Sequence, residues 1–389
     1  MWNDAARFPV RRLALARVLS GAGTQVAAIA LSYQVYARTE SARWLGFTLF
    51  LTLGLPGLLG PWVGVLVDRV DRRRLMIASD VIGAVIWVSM ISIRDPATLI
   101  ALACLGGLVA QPFVLAASAS IPNLVAEADL EWANSWVEGA GSIARLAGPA
   151  LGGALFALGG PGLAFTVNAF SYVCSALLVT SIRGRAFSGS ADRVRTRSSG
   201  IFDGFKAVAA DRGLLALGVL WLLMTPSLTI TLVADLPLAR SMGVSSVGYG
   251  LIDSFFGGGA LLGAIAAGRL KGSRERKWIV LSTLGVAGAW LVMVGAPWFE
   301  LVLCAAAIAG LFDSIMSVAG MTAAQRHAPD AIRGRVLGTL FSMGMVANAA
   351  GFLAVGPLVA AVGPRPAYGV GAALSVVAAC LFFVIYPRE

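Results

Sequence analysis

From Arg11 to Ile385 the chain is a succession of apolar runs, each about 20 residues long and broken by short clusters of charge. In hydrocarbon every backbone N–H and C=O must be paired within the chain, so runs of this kind fold only as helices or as a closed barrel. These runs do not alternate between polar and apolar residues, and they are rich in Leu, Ala and Gly, which selects helices. Charged residues are 13% of the 389, about half the share of an average soluble domain. The expected class is a polytopic all-α membrane protein.

Apolar stretches between charged breaks place spans near 11–36, 44–67, 75–93, 97–121, 132–158 and 163–182, then near 214–238, 247–268, 278–296, 301–324, 336–362 and 367–385. An even count puts both termini on one side. The breaks holding Arg69–Arg74, Arg183–Arg212, Arg269–Lys277 and Arg326–Arg335 then share that side, which the positive-inside rule makes cytoplasmic. This asymmetry also accounts for the net charge of +10 without invoking nucleic acid. The first ten residues are short and polar, and no cleavable signal is expected.

The stretch 183–199 is rich in Arg, Ser and Gly and carries no apolar period, as a linker does. After it, Phe202, Val208 and the charges around them suggest a short amphipathic helix at the membrane surface. The expected organisation is a six-helix bundle over 1–182, a cytoplasmic linker over 183–212 and a second six-helix bundle over 213–389. The halves echo one another at an offset of about 200 residues. Gly60-x-x-x-Gly64 answers to Gly259-x-x-x-Gly263, Pro122 to Pro329, and Gly148-Pro149 to Gly356-Pro357.

Between the second and third spans lies Gly64-Val-Leu-Val-Asp68-Arg69-Val-Asp-Arg72-Arg73-Arg74, followed by Ser79-Asp80. Pro122-Asn-Leu-Val follows the fourth span with its Gln111-Pro112, Arg145-x-x-Gly148-Pro149-x-x-Gly152-Gly153 occupies the fifth, and Arg333-Gly-Arg335 opens the eleventh. On these residues the whole chain resembles the major facilitator superfamily, and within it the twelve-helix drug and siderophore exporters. The resemblance implies two pseudo-symmetric six-helix bundles in a bacterial inner membrane. It also implies a gating role for Gly64, Asp68, Arg69, Arg72, Arg73 and Asp80, and an exporter-type helix-packing motif at Gly148, Pro149, Gly152 and Gly153. An acid among arginines at a helix end adds nothing to topology, and it can pair with cations and neighbouring helix termini only in one state of a gate. The chain departs from the family where Ser20–Gly23 runs into Thr24-Gln25 instead of an acid, and where Gln111 is the only strongly polar side chain of the fourth span.

Ionisable groups inside a membrane are costly, and their default reading is functional. Glu138 and Arg145 lie two turns apart on one face of the fifth span. Asp235, Asp253 and Asp313 fall in the seventh, eighth and tenth spans, with Asp313 the deepest and the foremost candidate for proton coupling. Asp80 lies shallow in the third span and is read with the gate. Arg17 is close enough to the interface to snorkel.

The expected function is secondary active export of a small amphipathic compound by alternating access, with protons as coupling ions and a monomer in the lipid bilayer. No phosphate loop followed by Lys-Ser/Thr occurs, so ATP is not the direct energy source. Cys104, Cys174, Cys304 and Cys380 fall inside spans and the single histidine, His327, lies in a loop; no metal, cofactor or His-based catalysis is expected. An importer or uncoupled facilitator of the same fold is the alternative, and a membrane enzyme or scaffold the remote one.

Overall fold

A computed structural model describes residues 4–126, 129–182, 201–268, 275–329 and 332–387, and these fold into helices with no strand among them. The helices are α1 (Asp4–Thr39), α2 (Ala42–Leu49), α3 (Leu55–Arg69), α4 (Arg72–Met90), α5 (Pro96–Leu124), α6 (Leu130–Thr180), α7 (Ile201–Ala210), α8 (Arg212–Ser241), α9 (Ser246–Ala267), α10 (Glu275–Gly295), α11 (Phe299–His327), α12 (Arg333–Val362) and α13 (Pro364–Ile385). Ten stretches among the described residues are long and apolar enough to cross a membrane. One of them joins α2 to α3 through a π-helical turn at Phe50–Gly54.

Another, α6, is two spans in one run. Gly159 and Gly160 break its helical path, the latter at φ 65° and ψ −166°, a region that a side chain resists. Pro161 restarts the helix. The remaining span is α4, whose leading arginines and Asp80 raise its charge above that of its neighbours. With α6 divided and α4 included, the spans number the expected twelve. The outward side chains are apolar, with Leu158 81%, Phe170 68% and Val384 79% exposed. That surface suits lipid and not water.

Asp71, Asp95 and Asp211 cap the starts of α4, α5 and α8. The Arg74 amide donates to Asp71 Oδ1 at 2.8 Å, and the Leu214 amide to Asp211 Oδ1 at 2.9 Å. The hydroxyl of Thr98 and its amide both donate to Asp95 and hold that carboxyl below the usual carboxylate range. His327 ends α11 with Nδ1 3.1 Å from Asp211 Oδ1 and Nε2 3.2 Å from the Tyr386 hydroxyl, which fastens three chain segments at one helix end.

The helices gather into two compact units. The first comprises Met1–Glu40, Leu51–Val194 and Ser245–Ser254; the second comprises Ser41–Phe50, Arg195–Val244 and Phe255–Glu389. Lipid offers helices little hydrophobic drive to associate, so close backbone approach must supply it. In the first unit the start of α9 crosses α6. A Cβ added at Gly250 would stand 2.2 Å from the Pro149 carbonyl oxygen, and one at Gly153 2.3 Å from that of Ser246. In the second unit α2 crosses α12 in the same manner, with Gly46 against the Phe352 carbonyl and Gly356 against that of Ala42.

The units repeat one another at an offset of 203 positions. Trp87 packs against Phe165 with ring centroids 5.3 Å apart, and Trp290 packs against Tyr368 at 5.7 Å with almost the same tilt. Gly160 and Gly363 both take positive φ before a proline. Ser79 and Ser282, Met90 and Met293, and Ala164 and Ala367 are buried pairs in the same register. The sequence pairings of Gly60 with Gly259 and of Gly148 with Gly356 are therefore about one turn out, in opposite directions. Glycine is too frequent here to define a register, and large buried side chains do so instead.

The short helix α7 falls where an amphipathic helix is expected. Its Gly204 lies against α12, where an added Cβ would meet Thr339 Oγ1 at 2.2 Å and the Arg335 carbonyl oxygen at 2.8 Å. Val208 is buried beside Gly218 of α8. Residues 183–200 of the expected linker lie outside the described residues.

Candidate transport sites

In the first unit the charged turn between α3 and α4 is built from helix ends. Arg72 donates to the Ala119 carbonyl of α5 at 2.8 Å; Arg73 donates to the carbonyls of Val179, at 3.4 Å, and Thr180 at the end of α6. Arg12 of α1 donates to the neighbouring Ser181 carbonyl at 3.0 Å. These guanidinium groups meet the negative ends of helix dipoles, where a cation is stabilising. Arg69 is exposed, and the side chain of Asp68 lies outside the described residues. A Cβ at Gly64 would touch nothing within 4 Å, so close packing is not the reason for that glycine.

Asp80 does not join this turn. It lies two helical turns further along α4, 2% exposed, beside Ser175 of α6 and Ser20 of α1. Its position in the chain made it a neighbour of the arginines, but the helix carries it into the core.

The exporter-motif residues hold α6 in place. A Cβ at Gly148 would meet the Gln25 side chain at 2.5 Å, and one at Gly152 the Val26 backbone of α1 at 2.9 Å. Gly153 faces α9, as described above. Pro149 has no N–H, and the amide of the next residue, Ala150, donates to Ser254 Oγ at 3.1 Å. Asp253, next to that serine, is half-buried, as is Gln111 on α5.

Arg145 is exposed on α6 and donates to Ser142 Oγ at 3.0 Å. Its guanidinium and that of Arg17 converge over Gly141, each with a nitrogen 3.4 Å from where a Cβ there would stand. Arg17 also donates to Ser118 Oγ at 3.3 Å, so it turns inward and does not snorkel. The side chain of Glu138 lies outside the described residues. One turn away a cavity of about 310 Å³ opens between α1 and α6, with Arg11 over the Trp136 ring at 6.0 Å.

In the second unit a cavity of about 420 Å³ lies between α8, α11 and α12. Trp221, Leu228, Met321, Phe341 and Met345 give it an apolar wall; Thr225, Thr229, Ser317 and Asn348 are its polar groups, and no charged residue lines it. Thr229 donates to Asn348 Oδ1 at 3.1 Å. Volume and lining suit a small amphipathic molecule. Asp313 sits one turn from Ser317 on α11, half-buried, with Oδ1 lacking a hydrogen-bond partner. Asp235 is buried elsewhere, against the Tyr368 hydroxyl of α13.

Sequence reasoning passed over Thr225, Thr229 and Asn348, because neutral polar side chains carry no cost conspicuous enough to stand out in a membrane span. The 203-residue repeat would have found Asn348, which answers to Arg145. The four cysteines are free thiols.

A membrane protein whose two sequence halves repeat one six-helix plan, and which holds a solute-sized cavity among α8, α11 and α12, is a transporter of the major facilitator fold. The chain belongs to the transmembrane secretion effector family of that superfamily, which it matches over residues 7–388. It is 27% identical over 381 residues to the multidrug efflux pump Tap of Mycolicibacterium fortuitum, covering 93% of this chain and 91% of that protein. It is 26% identical over 302 residues to the putative bacilysin exporter BacE of Bacillus amyloliquefaciens, covering 75% of each. Among solved structures its fold is similar to a variant of the nucleoside transporter NupG, with TM-score 0.81 at 13% identity over 97% of this chain and 100% of the other. It is also similar to a bacterial homologue of the iron transporter ferroportin in an inward-facing state, with TM-score 0.75 at 19% identity over 98% and 99%.

Proposed function

We propose that this protein is a secondary active exporter of a small amphipathic compound, driven by proton antiport in a bacterial inner membrane. The observation that carries the reading is the cavity among α8, α11 and α12: apolar, uncharged, and one turn from an intramembrane carboxyl at Asp313. The names of the relatives, a multidrug efflux pump and a putative bacilysin exporter, support the outward direction.

In this reading the bundles over 1–182 and 213–389 alternate access, with both termini and the linker over 183–212 cytoplasmic and the protein a monomer. Asp68 and the arginines of the α3–α4 turn hold the cytoplasmic gate. Asp313 exchanges a proton when substrate leaves the cavity. Glu138, Asp235, Asp253 and Gln111 are secondary candidates for the same pathway. An acidic substrate is the second reading, favoured by the convergence of Arg17 and Arg145 over Gly141. No enzymatic step is assigned.

The test is uptake into everted vesicles across a panel of cationic, neutral and anionic amphipathic compounds, with and without a protonophore. Uptake abolished by the protonophore supports antiport; uptake that ignores it overturns coupling and leaves a facilitator.

A further inference from the structure

The repeat lets each buried polar group of one unit be compared with its counterpart in the other. In the second unit α8, α10 and α13 meet around a closed network. The Trp290 indole donates to Ser227 Oγ at 3.1 Å, the Ser227 and Ser375 hydroxyls lie 2.9 Å apart, and both reach the Gly371 carbonyl at 2.9 Å. Thr283, two turns before Trp290 on α10, donates to Ile279 of its own helix at 2.7 Å.

The first unit repeats the place with different chemistry. Asp80 stands where Thr283 stands, and Asn168 where Gly371 stands. Asp80 is 2% exposed and Asn168 0%. Here Thr24 and Tyr172, the counterparts of Ser227 and Ser375, keep their bond at 3.0 Å, while Asp80, two turns before Trp87 on α4, lies beside the Ser20 and Ser175 hydroxyls with Oδ2 lacking a hydrogen-bond partner. Native interiors rarely leave a buried carboxyl oxygen unmatched, and one that is marks a second state of the group.

The charges around the carboxyl narrow the choice. Among the described residues no basic side chain forms an ion pair with Asp80. From α1, Arg17 lies one turn from Ser20 and turns to Ser118. From α6, the titratable neighbour is Tyr172, whose hydroxyl lies 3.0 Å from that of Thr24. α5 carries no charged residue between Pro96 and Leu124 and only Cys104 as a titratable one. α3 brings Arg69, which is exposed at its far end, and Asp68.

A buried carboxyl with no charged partner is neutralised by taking up a proton.

We propose that Asp80 is a proton-binding site inside the first unit, loaded and emptied during the transport cycle. One O–H bond forms at the carboxylate when a proton enters and breaks when it leaves, with the Ser20 and Ser175 hydroxyls beside it as the groups that can relay it. The coupling role rests on the antiport reading; proton binding itself does not. Thr283 holds the equivalent position of the second unit, buried and bonded within its own helix, so the repeat packs there without an acid.

The experiment uses the full chain, purified and in lipid nanodiscs and proteoliposomes, as wild type, Asp80→Thr, Asp80→Asn and Asp313→Asn. Infrared difference spectra across a pH titration should show a protonated-carboxyl band that is lost in both Asp80 variants and kept in Asp313→Asn. Proton-driven efflux should fall at least tenfold in Asp80→Thr while gradient-free substrate exchange stays near wild type, the latter showing that the variant is folded. The proposal is overturned if the band is the same in wild type and both Asp80 variants, if proton-driven efflux in Asp80→Thr matches wild type, or if sodium displaces the band. If wild type shows no proton-driven flux for any compound, the antiport reading fails, while the infrared titration still decides whether Asp80 binds a proton.

Discussion

The Tyr368 hydroxyl donates to the Asp235 carboxylate, and both groups are buried, one on α13 and the other on α8. This bond ties two helices of the second unit beside the Trp290 ring. Asp235 is thereby a satisfied group, unlike Asp313. Tyr368→Phe should cost about 1–3 kcal/mol, the price of stranding a buried polar partner. A fluorescence-monitored melt in detergent should drop by several degrees, with substrate affinity unchanged. A full loss of proton coupling with unchanged melting would instead place Asp235 on the proton path.

Asp313 has an oxygen without a partner one turn from the cavity. Asp313→Asn should keep substrate binding, because the amide preserves shape and a hydrogen-bonding oxygen. Efflux by this variant should no longer respond to an imposed pH gradient, whereas exchange of labelled for unlabelled substrate continues. Wild-type gradient response would make Asp313 structural and move attention to Asp253 or Glu138.

Asn348 and Thr229 are the polar pair of the cavity. Asn348→Leu should raise KM for substrates carrying a hydrogen-bonding group by about tenfold, the loss of one good polar contact of about 1.4 kcal/mol, and leave purely apolar substrates unaffected. Efflux kinetics on a matched pair of compounds decide it. An equal effect on both would mean that the residue supports the fold and not the ligand.

Gly250 and Gly64 make a paired stability test. The Pro149 carbonyl lies where a Gly250 side chain would go, whereas nothing lies within 4 Å of a Cβ at Gly64. Gly250→Ala should destabilise by about 1–3 kcal/mol through forced separation of α9 and α6. Gly64→Ala should stay within about 0.5 kcal/mol of wild type. Yield and melting temperature of the two purified variants give the answer. Equal losses would show that close approach is not what limits this crossing.

Asp68 tests the gate. Arg72 and Arg73 already serve the ends of α5 and α6, so their replacement would confuse folding with gating. Asp68→Asn should abolish transport with normal insertion, and a cysteine placed on the cavity wall should become more reactive from the cytoplasmic side. Normal transport by this variant would leave the turn as a topology signal.

The chain's apolar runs, its breaks of charge and its glycine and proline punctuation were enough to predict twelve helices and the family resemblance, because in lipid the backbone has only one solution for such runs. Breaks such as Gly159-Gly160-Pro161 can be read locally, since each acts through its own φ and ψ. The positions of Arg72 and Arg73 at the head of α4 were equally legible.

Their partners were not. Ala119, Val179 and Thr180 lie 47 to 107 residues away in the chain, and nothing local marks a helix end as their acceptor. Asp80 was read as part of the gate because it follows the arginines by two turns. Only the packing of α4 against α6 set it beside Ser175 and took it out of reach of solvent. The cavity walls come from α8 and, about a hundred residues further on, from α11 and α12, each contributing side chains that look ordinary alone. Composition and period decide what each helix is; which faces meet is decided by close backbone approach at Gly153, Gly250 and Gly204, and such contacts exist only once the helices have packed.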